Sequence, residues 1–308
     1  MSVTYLLGPQ RFLTTAGAVV RSLDTEGPVA TIAAGWEERE VDDGELDEVL
    51  DGRSRNLHLF GRLLDVLERD PVLAAAVTRL NEDMLELAGT YVTRLGFALE
   101  AVYAMRQRSG RRDIVDDAVE DAIGTQRQID TWYLGRLGRL KSELVASGAL
   151  ERSELLTQHR GEVAEQLAGC SVLAVAGGHV AMLLRCLQLF DVQVPRELPV
   201  VAWSAGAMAM TSRVVLFHDT RPNAFTGAEV WDRGLHRTPQ LVAFPHARRR
   251  LRLDDAFRVQ VLARRFERWT CLLLDDGAKV AVGPDGALPD GARIITTDGT
   301  IRTVGAPA

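Results

Sequence analysis

Apolar residues follow two different textures along this chain. Near the start, residues 3–7 and 28–34 are short, mostly apolar runs, each closed by a glycine, Gly8 and Gly35. Runs apolar on both faces mark strands of a parallel sheet covered on both sides. Between them, residues 12–23 have helical spacing, so the opening predicts a β-α-β unit. From about Asp42 to about residue 165 the chain has a helical period and no convincing strand. Leu57, Phe60, Leu64 and Leu67 form one stripe. Asp70-Pro71 then supplies an N-cap with proline at the first helical position. After it Leu73, Val77, Leu80, Met84, Leu87, Tyr91, Leu95, Leu99 and Val102 recur at helical intervals. A helix from 71 to 107 would run ~55 Å. Ser109-Gly110 breaks it, and a second long stripe runs from Asp113 through Ile129 and Leu137 to Leu144. Two long helices joined by a short break run antiparallel, which predicts a projecting helical hairpin.

The alternating β/α texture returns near residue 171. Residues 171–176 predict a strand ending in Gly177-Gly178-His179. Residues 180–190 predict a helix, and 198–203 a strand running into Ser204-Ala205-Gly206-Ala207. Further strands are expected at 214–217 and 241–244, the latter ending at Pro245-His246. A helix follows at 254–269, and then short strands at 271–274, 279–282 and 292–304. Asp-Gly turns join these last three, as in a terminal hairpin or meander. The reading is an α/β domain made of residues 1–41 and 166–308, with a parallel sheet in a three-layer arrangement. Residues 42–165 form an inserted antiparallel helical hairpin or bundle.

Composition narrows the function classes. A 46% apolar and 25% charged chain is ordinary for a folded globular protein. Its net charge of −6 argues against a nucleic-acid partner, which needs a basic face. Cys170, Cys186 and Cys271 are scattered, without a metal-ligand spacing or a disulfide framework, and a sparse odd count suits a reducing compartment. No signal-peptide pattern opens the chain, and no apolar run reaches ~18 residues. The expectation is a cytoplasmic protein with no membrane, metal or cofactor requirement.

The string Val200-Val201-Ala202-Trp203-Ser204-Ala205-Gly206-Ala207 carries the strongest chemical signal. A serine on a sharp strand-to-helix turn has its hydroxyl lifted clear of the sheet. Small neighbours allow tight packing there, and the following helix offers free N–H groups to an oxyanion. The same string also reads as an N-cap serine ahead of a small-residue helix, without chemistry. Partners decide between the two. A serine nucleophile needs a base, and the base an orienting carboxylate. Asp219 and His246 both follow predicted strands, at the edge where open α/β sheets place their sites. His179 and His218 are rival bases. His58, His159 and His236 look solvated. Gly177-Gly178 lets backbone approach a ligand closely, or is a plain tight turn. The run Arg248-Arg249-Arg250-Leu251-Arg252 reads as a solvated surface or as a grip on a substrate carboxylate. Trp203, Met208 and Met210 read as core. With serine at the elbow and the thiols in or beside apolar runs, a cysteine-based amidotransferase is disfavoured.

The segment Ala202-Trp203-Ser204-Ala205-Gly206-Ala207 resembles the nucleophile motif of the dipeptidase E and cyanophycinase family of serine peptidases. The resemblance implies a flavodoxin-like, class I glutamine-amidotransferase-like fold. It also implies a catalytic aspartate at Asp219, fifteen residues past Ser204, and a catalytic histidine in the Pro245-His246 pair. Gly177-Gly178 is similar to the family's oxyanion turn, and Thr31-Ile32-Ala33-Ala34-Gly35-Trp36 to its opening. The resemblance spans residues 1–40 and 170–285. Two positions depart from the pattern: Ala202 replaces the first motif glycine, and His179 stands where the family has Asn or Asp. The 42–165 segment has no counterpart in the small dipeptidases.

The expected function is therefore a serine peptidase or amidase acting on a small peptide or amide through an acyl-enzyme. Ser204, His246 and Asp219 would form the triad, the N–H groups of Gly178 and Ala205 would hold the oxyanion, and Gly177 and His179 would line the site. A catalytically silent binding or scaffold protein, with the hairpin making a homodimer, is the rival from another class. An acyl or amide transferase would use the same acyl-enzyme.

Overall fold

In the computed structural model, which describes residues 2–217, 227–283 and 285–306, the early apolar runs become two strands of a five-stranded parallel arrangement. The five are β1 (Thr4–Leu7), β2 (Val29–Ile32), β3 (Ser54–Asn56), β4 (Val172–Val175) and β5 (Val200–Trp203). They lie in the order β1-β5-β4-β2-β3, each parallel to its neighbour. Alternate residues of each strand face opposite layers. Leu6, Ile32, Val175 and Ala202 pack with helices α3 (Leu59–Arg69) and α8 (Val180–Leu189). Leu7, Val29, Ala174 and Trp203 pack with α1 (Ala16–Ser22) and α2 (Gly44–Val49). Full burial of each large apolar side chain contributes about 1.5–3 kcal/mol, which explains why β1, β2, β4 and β5 are apolar on both faces. The fold is mixed α/β, with helices on both sides of a parallel sheet.

Three features differ from the sequence reading. The stretch after residue 42 read as strandless, but it contains β3, which extends the sheet beyond β2. Its Ser-Arg-Asn sequence has no apolar signal. It is held by polar groups instead: Ser54 and Thr31 hydroxyls bond at 2.8 Å, and the Ser54 N–H donates to Asp47 at 2.9 Å. Secondly, the terminal strands do not form one meander. Strands β8 (Leu241–Pro245), β9 (Thr270–Leu274), β11 (Arg293–Ile295) and β12 (Ile301–Thr303) make a second sheet, with β8 and β9 parallel. Strand β10 (Lys279–Val282) crosses back to pair antiparallel with β1. A separate ribbon joins β6 (Arg213–Leu216) to β7 (Glu229–Arg233).

The third difference concerns the two long helices, α4 (Pro71–Arg106) and α5 (Arg112–Ala146). The Asp70 side chain caps α4 by accepting from the Leu73 N–H at 2.9 Å. Short α6 (Ala149–Arg152) and α7 (Glu154–Ala168) lead back to β4. The pair packs along its length, but it does not project freely. Tyr91, Leu95, Ile129 and Tyr133 share a core with Val230, Phe244 and Phe266. Within this core Arg265, at the end of α10 (Ala256–Arg265), is buried with Asp130 and Tyr91. Arg265 donates to both Asp130 carboxylate oxygens, at 2.6 and 2.7 Å, to the Tyr91 hydroxyl at 2.9 Å and to the Ala228 carbonyl at 2.5 Å. The Tyr91 hydroxyl donates to Asp130 at 2.7 Å and accepts from the Val230 N–H at 3.0 Å. Burial alone would lower the Arg265 pKa, but Asp130 and Tyr91 carry it above its ordinary value. Breaking such a pair from one side costs about 3–5 kcal/mol. The helical pair is thus bolted to the helix carrying Arg265 and to β7, in a core shared with the second sheet.

Candidate active site

Strand β5 passes into α9 (Ala205–Met210) through Ser204 alone. The Ser204 N–H still bonds the Leu7 carbonyl of β1 at 3.2 Å, while its own carbonyl already accepts from Met208 at 3.1 Å. One residue therefore serves as last strand rung and first helical acceptor. Its backbone takes φ 50°, ψ −116°, a region that costs a side-chain-bearing residue about 1–3 kcal/mol. The small residues around it are sterically required. A Cβ on Gly206 would lie 2.2 Å from the Val175 carbonyl oxygen, so α9 presses against the end of β4. A Cβ on Gly177 would lie 2.9 Å from the Ser204 Cβ. Ser204 itself remains partly open to solvent, whereas Trp203, Met208 and Met210 are core.

Gly177-Gly178 turns the chain at the end of β4, next to β5. Gly178 has φ +115°, and a Cβ there would strike the Gly35 backbone at 2.2 Å. The next N–H, from His179, is occupied by the Gly35 carbonyl at 2.6 Å. Among the described residues no acceptor bonds the N–H of Gly178 or of Ala205. The His179 ring caps α8: its Nδ1 accepts from the Met182 N–H at 3.2 Å, and the same nitrogen lies 3.4 Å from Glu37 Oε1. An accepting Nδ1 keeps the proton of the neutral ring on Nε2. Glu37, after β2, has φ 57°, ψ −128°. It was not singled out from sequence. The available signal was its position, two residues past the strand-closing Gly35.

His246 follows β8, which lies in the second sheet and not beside β5 as one open sheet would require. The turn around Asp275 ties the end of β8 to β1. The His246 N–H donates to the Leu274 carbonyl at 3.0 Å. The next residue, Asp275, backs onto Gly8 so closely that a Cβ there would lie 1.9 Å from its carbonyl oxygen. Gly8 follows Leu7, the residue that holds the Ser204 N–H. The ends of β1, β5, β8 and β9 therefore meet around this turn, and α9 also packs on β8. His246 is half-buried in a left-handed conformation, φ 55°. Asp219 and His218 lie outside the described residues. Arg248 and Arg249 are exposed, although the Asp275 carboxylate accepts from the Arg248 N–H at 2.8 Å and from Arg293 at 2.7 Å.

Other groups are committed elsewhere. His159 is not solvated as its sequence suggested. It sits between Asp65, at 2.8 Å from Nε2, and Arg62, at 2.7 Å from Nδ1. Burial pushes the Cys186 and Cys271 thiols up to about 12, which keeps them inert. Among the described residues no group of three His, Cys, Asp or Glu is placed to hold a metal ion. Nor is any helix there long and apolar enough to cross a membrane.

No family model matches the chain, and no curated protein does. Among solved structures it is similar to a crystal structure of a peptidase from an acI-B1 Actinobacterium. The TM-score is 0.49 and the identity 11%, over 99% of this chain and 96% of that one. The chemistry open to this site follows from its own residues and not from that likeness.

Proposed function

We propose that the chain is a serine peptidase or amidase that cleaves a small peptide or amide through an acyl-enzyme. It would be a distant, cytoplasmic member of the dipeptidase E and cyanophycinase group, on the flavodoxin-like, class I glutamine-amidotransferase-like fold, with residues 42–165 inserted. One observation carries the reading: Ser204 bridges a parallel strand and a helix at φ 50°, ψ −116°, a strained turn with its hydroxyl at the strand-end rim. In this reading Ser204 Oγ attacks the amide carbonyl and His246 takes its proton. The N–H groups of Gly178 and Ala205 receive the oxyanion. His246 then protonates the leaving amine, activates water against the ester, and returns the proton to Ser204. Asp219 orients the imidazole. The capping role of His179 supports His246 as base, because a ring with its proton on Nε2 and its Nδ1 engaged has no free lone pair.

Labelling with a fluorophosphonate probe tests the reading. The protein should react, and Ser204→Ala and His246→Ala should not. Unchanged labelling of Ser204→Ala would remove Ser204 from the mechanism, and unchanged labelling of His246→Ala would pass the base role to another group.

A further inference from the structure

Between α8 and the α4–α5 pair lies a cavity of about 330 Å³. Val77, Leu80 and Met84 of α4, Leu144 of α5, Met182 of α8 and Trp231 of β7 line it. An apolar cavity of about 150 Å³ takes a benzene ring, so this one has room for on the order of a dozen heavy atoms. Its polar groups fall into two sets. Lys141 is neutralised by Asp232, and Gln188 bonds both, accepting from Lys141 at 2.8 Å and donating to Asp232 at 3.1 Å. Arg185 has only a neutral amide, donating to Asn81 Oδ1. Among the described residues no carboxylate pairs with it. A cation set in an apolar wall without a counterion is stabilised by an anion brought from outside.

The cavity is also lined by His179, at the start of α8 and two residues beyond the glycine that touches Ser204. From His179 to Arg185 the helix rises about 9 Å. We propose that this cavity binds a linear apolar carboxylate, with its chain against the leucine and methionine walls and its anion on Arg185. The chain's far end then points to the rim. Taken with Ser204 as nucleophile, which is the part resting on the proposed function, the substrate is an amide whose scissile group is separated from a free carboxylate by an apolar spacer.

Titration calorimetry of the full chain with decanoate tests the site, with decan-1-ol as the uncharged comparison. Decanoate should bind once per chain, and decan-1-ol about tenfold more weakly. Arg185→Gln should bring decanoate down to the alcohol's affinity. Leu80→Trp or Leu144→Trp should fill the cavity and abolish binding, and Ser204→Ala should leave it unchanged. Circular dichroism checks that each variant is folded. Where a tryptophan variant fails to fold, the comparison of acid with alcohol and Arg185→Gln carries the test. Absence of decanoate binding, equal affinity for acid and alcohol, no effect of Arg185→Gln, or full binding in both folded tryptophan variants would each overturn the inference. Decanoate binding without fluorophosphonate labelling sinks only the hydrolase reading, and labelling without decanoate binding sinks only the cavity.

Discussion

At the end of β5 a serine is held at φ 50°, ψ −116°, with its hydroxyl at a rim open to solvent. At the joint between the α4–α5 pair and the second sheet an arginine is buried among hydrophobic side chains. Each breaks a local rule, but the compensation differs. Arg265 is offset where it stands: four of its N–H bonds go to Asp130, Tyr91 and Ala228, and the Asp130 charge opposes its own. The strain at Ser204 is not relieved locally. It is enforced by neighbours, by the rung to Leu7 on one side and the pressure of Gly206 and Gly177 against β4 and the serine on the other. A compensated irregularity serves the fold. An enforced one, at a strand end beside free N–H groups, is where chemistry is expected.

That contrast predicts opposite outcomes for substitutions in the two regions. The largest effect belongs to Ser204→Ala, which should lower turnover by at least about 10⁴-fold while moving the urea midpoint very little. A variant that lost stability in step with activity would make Ser204 a structural residue like Arg265. Next comes Asp130→Ala, which leaves Arg265 buried without its partner. It should lose about 3–5 kcal/mol in urea unfolding and keep its activity per folded molecule. Unchanged stability would show that the joint does not hold the helical pair. Gly177→Ala lies between the regions in character. Its new Cβ must displace Ser204, so turnover should fall about 10²-fold with a stability loss of about 1–3 kcal/mol. Full activity in that variant would mean that the serine tolerates displacement and that its placement is not demanding.

The two regions were also unequally legible in the sequence. The rim is made by local strings. An apolar strand running into Ser204-Ala205-Gly206, and another running into Gly177-Gly178, announce both the turn and its tightness, and Asp70-Pro71 announces the start of α4. The joint has no such string. Tyr91, Asp130 and Arg265 are each unremarkable on their helices and meet only through contacts spanning 39 to 174 residues. For the same reason periodicity makes the long helices a free hairpin, since it shows a stripe but not what the stripe covers. Strand β3 was hidden because a three-residue edge strand held by Ser54 and Thr31 needs no apolar pattern. The crossing of β10 to β1 was hidden because Asp-Gly turns favour neighbours in sequence. Glu37 escaped because its strain is backbone geometry, which no residue type reports.

The smallest effect separates strain from chemistry most sharply. Ser204→Gly and Ser204→Ala both delete the hydroxyl, so both should be inactive, but only glycine adopts φ 50°, ψ −116° without steric cost. Relief of the strain is worth about 1–3 kcal/mol, and glycine's greater freedom in the unfolded chain returns about 0.5–1 kcal/mol of it. Ser204→Gly should therefore be more stable than Ser204→Ala by about 1 kcal/mol, read as a higher urea midpoint at equal slope. No such gain is available at the joint, where every substitution at Asp130 or Arg265 removes a partner. A glycine variant less stable than the alanine one would mean that the turn at Ser204 carries no stored strain, and the contrast between an enforced and a compensated irregularity would fail at its first member.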